Sequence, residues 1–196
     1  MLFFVILCLV VYDKTIPFDN WFYDTFVRGS RSVFLDNFFK YFTYFGSTIG
    51  LIIIVLLFLI FDKDKKIGIT LSIGLILSGV LNLIIKLIVK RPRPEVVNVI
   101  AESGYSFPSA HAMMSFVVFG LIIYYVYKKV QNKSVKFGLI VALSCLIFML
   151  GLSRIYLGVH YLSDVLAGWC IGYVLTIGII FLSNIIFAHH RRQIKL

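Results

Sequence analysis

Charge is scarce in this 196-residue sequence: 14% of residues are charged, and only nine are Asp or Glu. A soluble domain carries about a quarter charged residues, so a conventional water-facing surface is excluded. Proline is sparse as well, at four. No Pro/Ser-rich linker, low-complexity tract or internal repeat divides the chain, and residues 1–196 read as a single domain. The cysteines number three. Cys8, Cys145 and Cys170 lie inside apolar runs without metal-ligand or framework spacing, which argues against a zinc module or a disulfide scaffold and leaves them as small core or lipid-facing residues. What charge there is leans one way, to a net +10. The basic residues nevertheless sit in short clusters between apolar runs, with no face to present a basic stripe, so nucleic acid is not an expected partner.

Apolar residues dominate what remains, at 60% of the chain with a mean hydropathy of +0.97. This is the composition of an integral membrane protein. A helical span takes about 20 mostly apolar residues. Tyr41 to Phe61, Ile67 to Val89, Ser109 to Tyr127, Val135 to Ser153 and Tyr161 to Phe187 meet or approach that length. Met1 to Tyr12 is too short to cross a core of about 30 Å, and without a basic start or cleavage site it reads as a partial or short first span rather than a signal peptide. The expected fold is all-α: a six-helix transmembrane bundle whose first helix is short or truncated, with a short interfacial helical segment between helices 1 and 2. That segment has Phe18, Phe22 and Phe26 at four-residue spacing beside Trp21, with Asp19 as a candidate N-cap. It would serve as an aromatic membrane anchor or as a lid over substrate.

Orientation follows from the positive charges. Lys63, Lys65 and Lys66 follow the second span, Lys128, Lys129, Lys133 and Lys136 the fourth, and Arg191, Arg192 and Lys195 the sixth. Helix parity puts these on one side, which should be cytoplasmic. In the connection from Asp13 to Lys40, four basic and four acidic residues balance, which suits the outer side.

Three clusters at the outward ends of the spans interrupt the apolar pattern: Lys86 to Pro94, Tyr105 to His111 and Ser153 to Asp164. Ionisable groups near bilayer depth are costly and point to function. His160 and Asp164 are four apart, one helical face, so the carboxylate can fix the imidazole tautomer and leave the other nitrogen as base or nucleophile. Gly158 suggests a turn that would bring Arg154 back toward His160. Ser109 is an N-cap candidate, and the free N–H groups from Ala110 and His111 onward would form an anion site with the Ser109 hydroxyl. His111, in that first turn, is placed to donate a proton. Lys86, Lys90 and Arg93 recur near helical spacing before Pro94, and Lys and Arg together suit a phosphoryl group. No carboxylate-rich or Cys/His ligand set accompanies them, so neither a metal nor another cofactor is expected. Lys90 and Arg91 read as surface or anionic-lipid contacts, Asn82 as an interhelical hydrogen bond, and His189 and His190 as part of a solvated tail.

The series Lys86, Arg93-Pro94; Pro108-Ser109-Ala110-His111; Ser153-Arg154, His160, Asp164 resembles the three-part signature of the type-2 phosphatidic acid phosphatase family. The resemblance runs from the third to the sixth helix. It departs at Ala110, where the family more often has Gly, although alanine keeps the backbone N–H. It implies that His160 attacks phosphorus to form a phosphohistidine, that Asp164 orients it, and that His111 protonates the leaving oxygen and then activates water. Lys86, Arg93, Ser109, Ala110 and Arg154 would hold the phosphoryl oxygens. The implied activity is hydrolysis of a lipid phosphate or diphosphate, of the undecaprenyl pyrophosphate or phosphatidylglycerophosphate class, which with the charge pattern puts a multi-pass protein in the plasma membrane with its site on the extracytoplasmic face. A phosphotransferase with the same site is the alternative. A lipid transporter would instead spread polar residues through the depth of several helices. The sequence leaves the oligomeric state open and presents no compelling small-xxx-small dimer motif.

Overall fold

A computed structural model describes residues 2–11, 14–63 and 65–193, and every regular element among them is helical. Tyr12, Asp13 and Lys195 lie outside the described residues, as do the side chains of Cys8, His189, His190, Arg191 and Arg192. The helices are α1 (Leu2–Val11), α2 (Ile16–Phe22), α3 (Val33–Phe42), α4 (Thr48–Phe61), α5 (Lys66–Val89), α6 (Ala110–Lys129), α7 (Lys133–Tyr156) and α8 (Leu162–Gln193). A π-turn, Tyr23–Val27, and a 3-10 turn, Arg28–Ser30, prolong α2.

By length and composition α5, α6, α7 and the Leu162–Ile185 part of α8 are able to cross a membrane, and the bent α3–α4 pair makes a fifth candidate. Their outward faces suit lipid: Ile76, Val80, Leu83, Leu87 and Ile88 of α5 are all exposed. A helix apolar all round needs an apolar solvent. α1 has ten residues, about 15 Å of helix and half the hydrocarbon thickness.

The expected span from Tyr41 to Phe61 is corrected. It is not one straight helix, because α3 passes through a 3-10 turn, Thr43–Gly46, and meets α4 at an angle of 48°. The break has a local cause in Ser47, whose extended backbone (ψ 156°) ends the turn while its hydroxyl caps α4 by accepting from Gly50 N–H at 3.1 Å.

α6 is the axis of the bundle, packed against α5, α7 and α8. Met113, Val117, Val118 and Leu121 on it are fully buried, along with Leu71 of α5 and Leu150 of α7. A small-xxx-small pair does exist and works inside the chain: Gly168 and Gly172 let α8 lie directly on α6. A Cβ at Gly172 would come within 2.8 Å of Phe116 Cβ, and one at Gly168 within 2.9 Å of the Ser109 carbonyl oxygen. This close crossing holds the start of α8 against the start of α6.

Candidate active site

Alternating helix direction brings four ends together: the C-termini of α5 and α7 and the N-termini of α6 and α8. Each motif residue sits at one of these ends or in the loops joining them. Lys86 is in the last turn of α5, Arg93 in the following loop, Ser109 at the N-cap of α6 with Ala110 and His111 behind it, Arg154 in the last turn of α7, His160 in the α7–α8 turn and Asp164 in the first turn of α8. Gly158 makes that turn with φ +76°, and the Arg154 carbonyl accepts the His160 N–H at 3.3 Å.

His160 Nδ1 lies 3.3 Å from Asp164 Oδ2, and Arg93 Nη1 is 3.5 Å from His160 Nε2. With Nδ1–H donated to the carboxylate, Nε2 keeps a lone pair turned toward the cations. The pair meets as expected, but for a different reason. His160 precedes the helix, and Asp164 reaches back over the helix start, where its Oδ2 also accepts the Tyr161 N–H at 3.0 Å. Burial, then the guanidiniums of Arg154 and Arg93 and the Lys86 ammonium, hold the His160 imidazole well below its ordinary range. The charges bearing on His111 are those of Arg154, His160, Lys86 and Arg93.

The cations are anchored in part by the backbone. Lys86 Nζ donates to the Tyr105 carbonyl at 2.7 Å. Arg93 donates from Nη1 to Val159 O at 2.8 Å, from Nη2 to Ser103 O at 2.9 Å and from Nε to Gly104 O at 3.1 Å. Arg154 is buried and donates to Thr43 Oγ1 at 2.9 Å and to Glu102. Ser109 takes the N-cap position but makes no cap bond. Its hydroxyl is buried without a hydrogen-bond partner among the described residues, which leaves it available as a donor. The first N–H groups of α6 have no intrahelical acceptor. Arg93 faces His160 Nε2, the charges of Lys86 and Arg154 act on both His160 and His111, and the unpartnered Ser109 hydroxyl opens α6, a setting suited to a tetrahedral oxyanion.

Some residues escape sequence reasoning. Glu102 links Arg154 to Arg93, whose Nη2 is 3.7 Å from its second oxygen. Its only advance sign is that it is an acid inside a connection that otherwise carries the basic and Ser-His motifs. Thr43 is delivered to Arg154 by the turn before the α3–α4 break. Arg91 is a correction. Expected at the surface, it is 4% exposed and binds Asp164 Oδ1 at 2.6 Å and Asp19 Oδ2 at 2.9 Å. The cause is Lys90, which ends α5 in the left-handed conformation (φ 53°) and remains exposed while the chain turns Arg91 inward. Asp19 is likewise buried in the first turn of α2 and is not that helix's N-cap, a position held by Thr15. Asn82 behaves as expected, donating to the Pro108 carbonyl at 3.1 Å beneath the α6 N-terminus.

Known proteins carry related sequences and folds. The model of a family described as the PAP2 superfamily matches residues 68–187. Phosphatidylglycerophosphatase B of Bacillus subtilis (strain 168) is 28% identical over 179 residues, 89% of this chain and 88% of that protein. Undecaprenyl-diphosphatase of Sulfolobus acidocaldarius is 34% identical over 122 residues, 59% of this chain and 55% of that protein. The crystal structure of a transmembrane PAP2-type phosphatidylglycerolphosphate phosphatase from Bacillus subtilis superposes with a TM-score of 0.82 at 22% identity, covering 93% of this chain and 94% of the other, so the two folds are alike.

Proposed function

The chain belongs to the PAP2 superfamily, and on that premise we propose that it is a metal-independent lipid phosphatase acting on a phosphomonoester or diphosphate of the phosphatidylglycerophosphate or undecaprenyl pyrophosphate class. In the first step the His160 Nε2 lone pair attacks the terminal phosphorus and its P–O bond to the lipid breaks, or, in a diphosphate, its P–O bond to the lipid monophosphate. His111 gives its proton to the departing oxygen. In the second step His111 takes a proton from water, the water oxygen attacks phosphorus, and the P–N bond breaks to release phosphate and restore His160. Asp164 holds Nδ1–H and balances the charge of the phosphohistidine. Lys86, Arg93, Arg154, the Ser109 hydroxyl and the amides from Ala110 onward hold the phosphoryl oxygens, the preorganised electrostatics on which phosphoryl transfer depends.

The observation that carries this reading is the aim of His160: its Nδ1 is engaged by Asp164 while its Nε2 faces Arg93. The proposed setting is a single domain in the plasma membrane built as a six-helix bundle, α1 being a short first helix that reaches through about half the hydrocarbon and α3–α4 the second, with the site on the extracytoplasmic side. Supporting that orientation, Lys63, Lys65 and Lys66 at the start of α5 and Lys128, Lys129 and Lys133 at the α6–α7 turn lie at the opposite helix ends from the motif residues.

The test is phosphate release in detergent from phosphatidylglycerophosphate, undecaprenyl pyrophosphate and phosphatidate with EDTA present. Wild type is expected to release phosphate from at least one, and His160→Ala to fall at least about a thousandfold. Loss of the wild-type rate on chelation, or survival of activity in His160→Ala, overturns the mechanism. A phosphorylated acceptor in place of free phosphate would make the protein a transferase.

A further inference from the structure

Asp164 has two oxygens, and only one is committed to His160. The other, Oδ1, accepts from Arg91 Nη1 at 2.6 Å. Arg91 Nη2 then reaches a second carboxylate, Asp19 Oδ2, at 2.9 Å, and Thr15 Oγ1 at 2.9 Å. Ser163 closes the group: its N–H donates to Asp19 Oδ1 at 2.9 Å, its hydroxyl donates to Asp19 Oδ2 at 2.6 Å, and its oxygen accepts from Arg91 Nη1 at 2.8 Å. The Tyr161 ring covers the guanidinium at 4.0 Å. Side-chain exposure is 3% for Arg91 and 0% for both carboxylates, so the charges are shielded from water.

An Arg91–Asp164 pair alone would be neutral, and a neutralised carboxylate does little to stabilise a cationic imidazole. Adding Asp19 changes the sum. Two carboxylates and one guanidinium leave one negative charge while His160 is neutral, and that charge is balanced once His160 becomes cationic by protonation or phosphorylation. Burial makes such a balance strong. Asp19 also accepts an N–H at the start of α8, which fixes the turn from which Asp164 projects.

We propose that Asp19, acting through Arg91, is a positioning residue for the Asp164–His160 pair, and that the segment beginning with α2 is part of the phosphatase site rather than only a membrane anchor. The proposal rests on the function proposed above. The outer face of α2 carries exposed Phe18 and Trp21, while its inner face carries the carboxylate. The other groups acting on His160, namely Arg93, Arg154, Lys86, Glu102 and His111, are left in place by a change at Asp19.

The experiment uses the full chain in detergent with two readouts. One is kcat and KM for phosphate release across pH. The other is the titration of His160 by 15N NMR on histidine-labelled protein, assigned by loss of its signal in His160→Gln. Asp19→Asn is expected to lower kcat about tenfold with KM little changed and to move the His160 titration about one pH unit lower, tenfold in its ionisation constant. Arg91→Met in the Asp19→Asn background leaves Asp164 as the sole charge and is expected to restore most of both effects. Asp24→Asn, an exposed acid on the same segment paired with Arg28, is expected to change neither. An unmoved His160 titration in folded Asp19→Asn, or no recovery in folded double variant, overturns the proposal. A displaced titration in a protein that releases no phosphate from any lipid supports the positioning role and overturns the phosphatase reading instead.

Discussion

Burial, followed by the Arg154 and Arg93 guanidiniums, keeps His160 unprotonated well below its ordinary 6.5. As pH falls below 6.5, the unfolded chain binds a proton that the folded chain refuses, so this group costs the fold stability until its folded value is passed. For Glu102 burial alone would raise the carboxyl, but the Arg154 and Arg93 charges outweigh it and hold the group below its ordinary 4.5. Its contribution is complete above 4.5 and is lost as pH drops through the folded value. Both effects have the same sign. The Tm in detergent is therefore expected to fall on acidification below pH 6.5, with a flatter profile for His160→Gln. The acid limb of kcat/KM should lie below that same pH. At this scale the sequence displayed its motif histidines, Asp164 and the cations, because ionisable groups stand out against an apolar background. It did not display the direction of Arg91, which depends on one left-handed residue, Lys90. Nor did it display the Glu102–Arg154 pair, which joins positions 52 apart.

Helices α5 to α8 were legible in number and order because long apolar runs bounded by Lys, Pro and Ser leave few alternatives. Their ends were less so: α7 runs on from the expected Ser153 to Tyr156 and α8 from Phe187 to Gln193, since polar residues extend a helix without extending its apolar run. The α3–α4 break was not, since Phe, Tyr and Gly around Ser47 read as one continuous apolar stretch and the cap bond is a local geometric choice. The Gly168–Gly172 pair was visible only as composition until its partner, α6, was in place. Its importance can be tested by size. Gly172→Ala, whose Cβ would meet Phe116 and the Met113 carbonyl, is expected to destabilise the protein by about 1–3 kcal/mol, read as a lower Tm in detergent, with turnover per folded molecule largely kept. Gly168→Ala presses on the Ser109 carbonyl and Ala112 at the start of α6, so it should lower turnover as well as Tm.

Across the whole molecule, polar chemistry is gathered at one end and the lysine-rich turns at the other. If the motif end faces outward, a membrane-impermeant thiol reagent added to intact cells should label Val97→Cys and spare Gln131→Cys, both placed in a background with Cys8, Cys145 and Cys170 replaced. The opposite pattern would invert the topology. Val97 and Gln131 are both exposed, so access to each is decided by the membrane. Asp19 and Ser163 meet across 144 positions, and Arg91 meets Asp164 across 73. A chain still emerging from the ribosome already owns His111 and Lys86 long before it owns Ser163 and Asp164. The group that holds His160 is therefore finished only when the last helix threads into place beside the first segments, and on the proposed mechanism a partly inserted chain would have no histidine ready to act on the lipids around it.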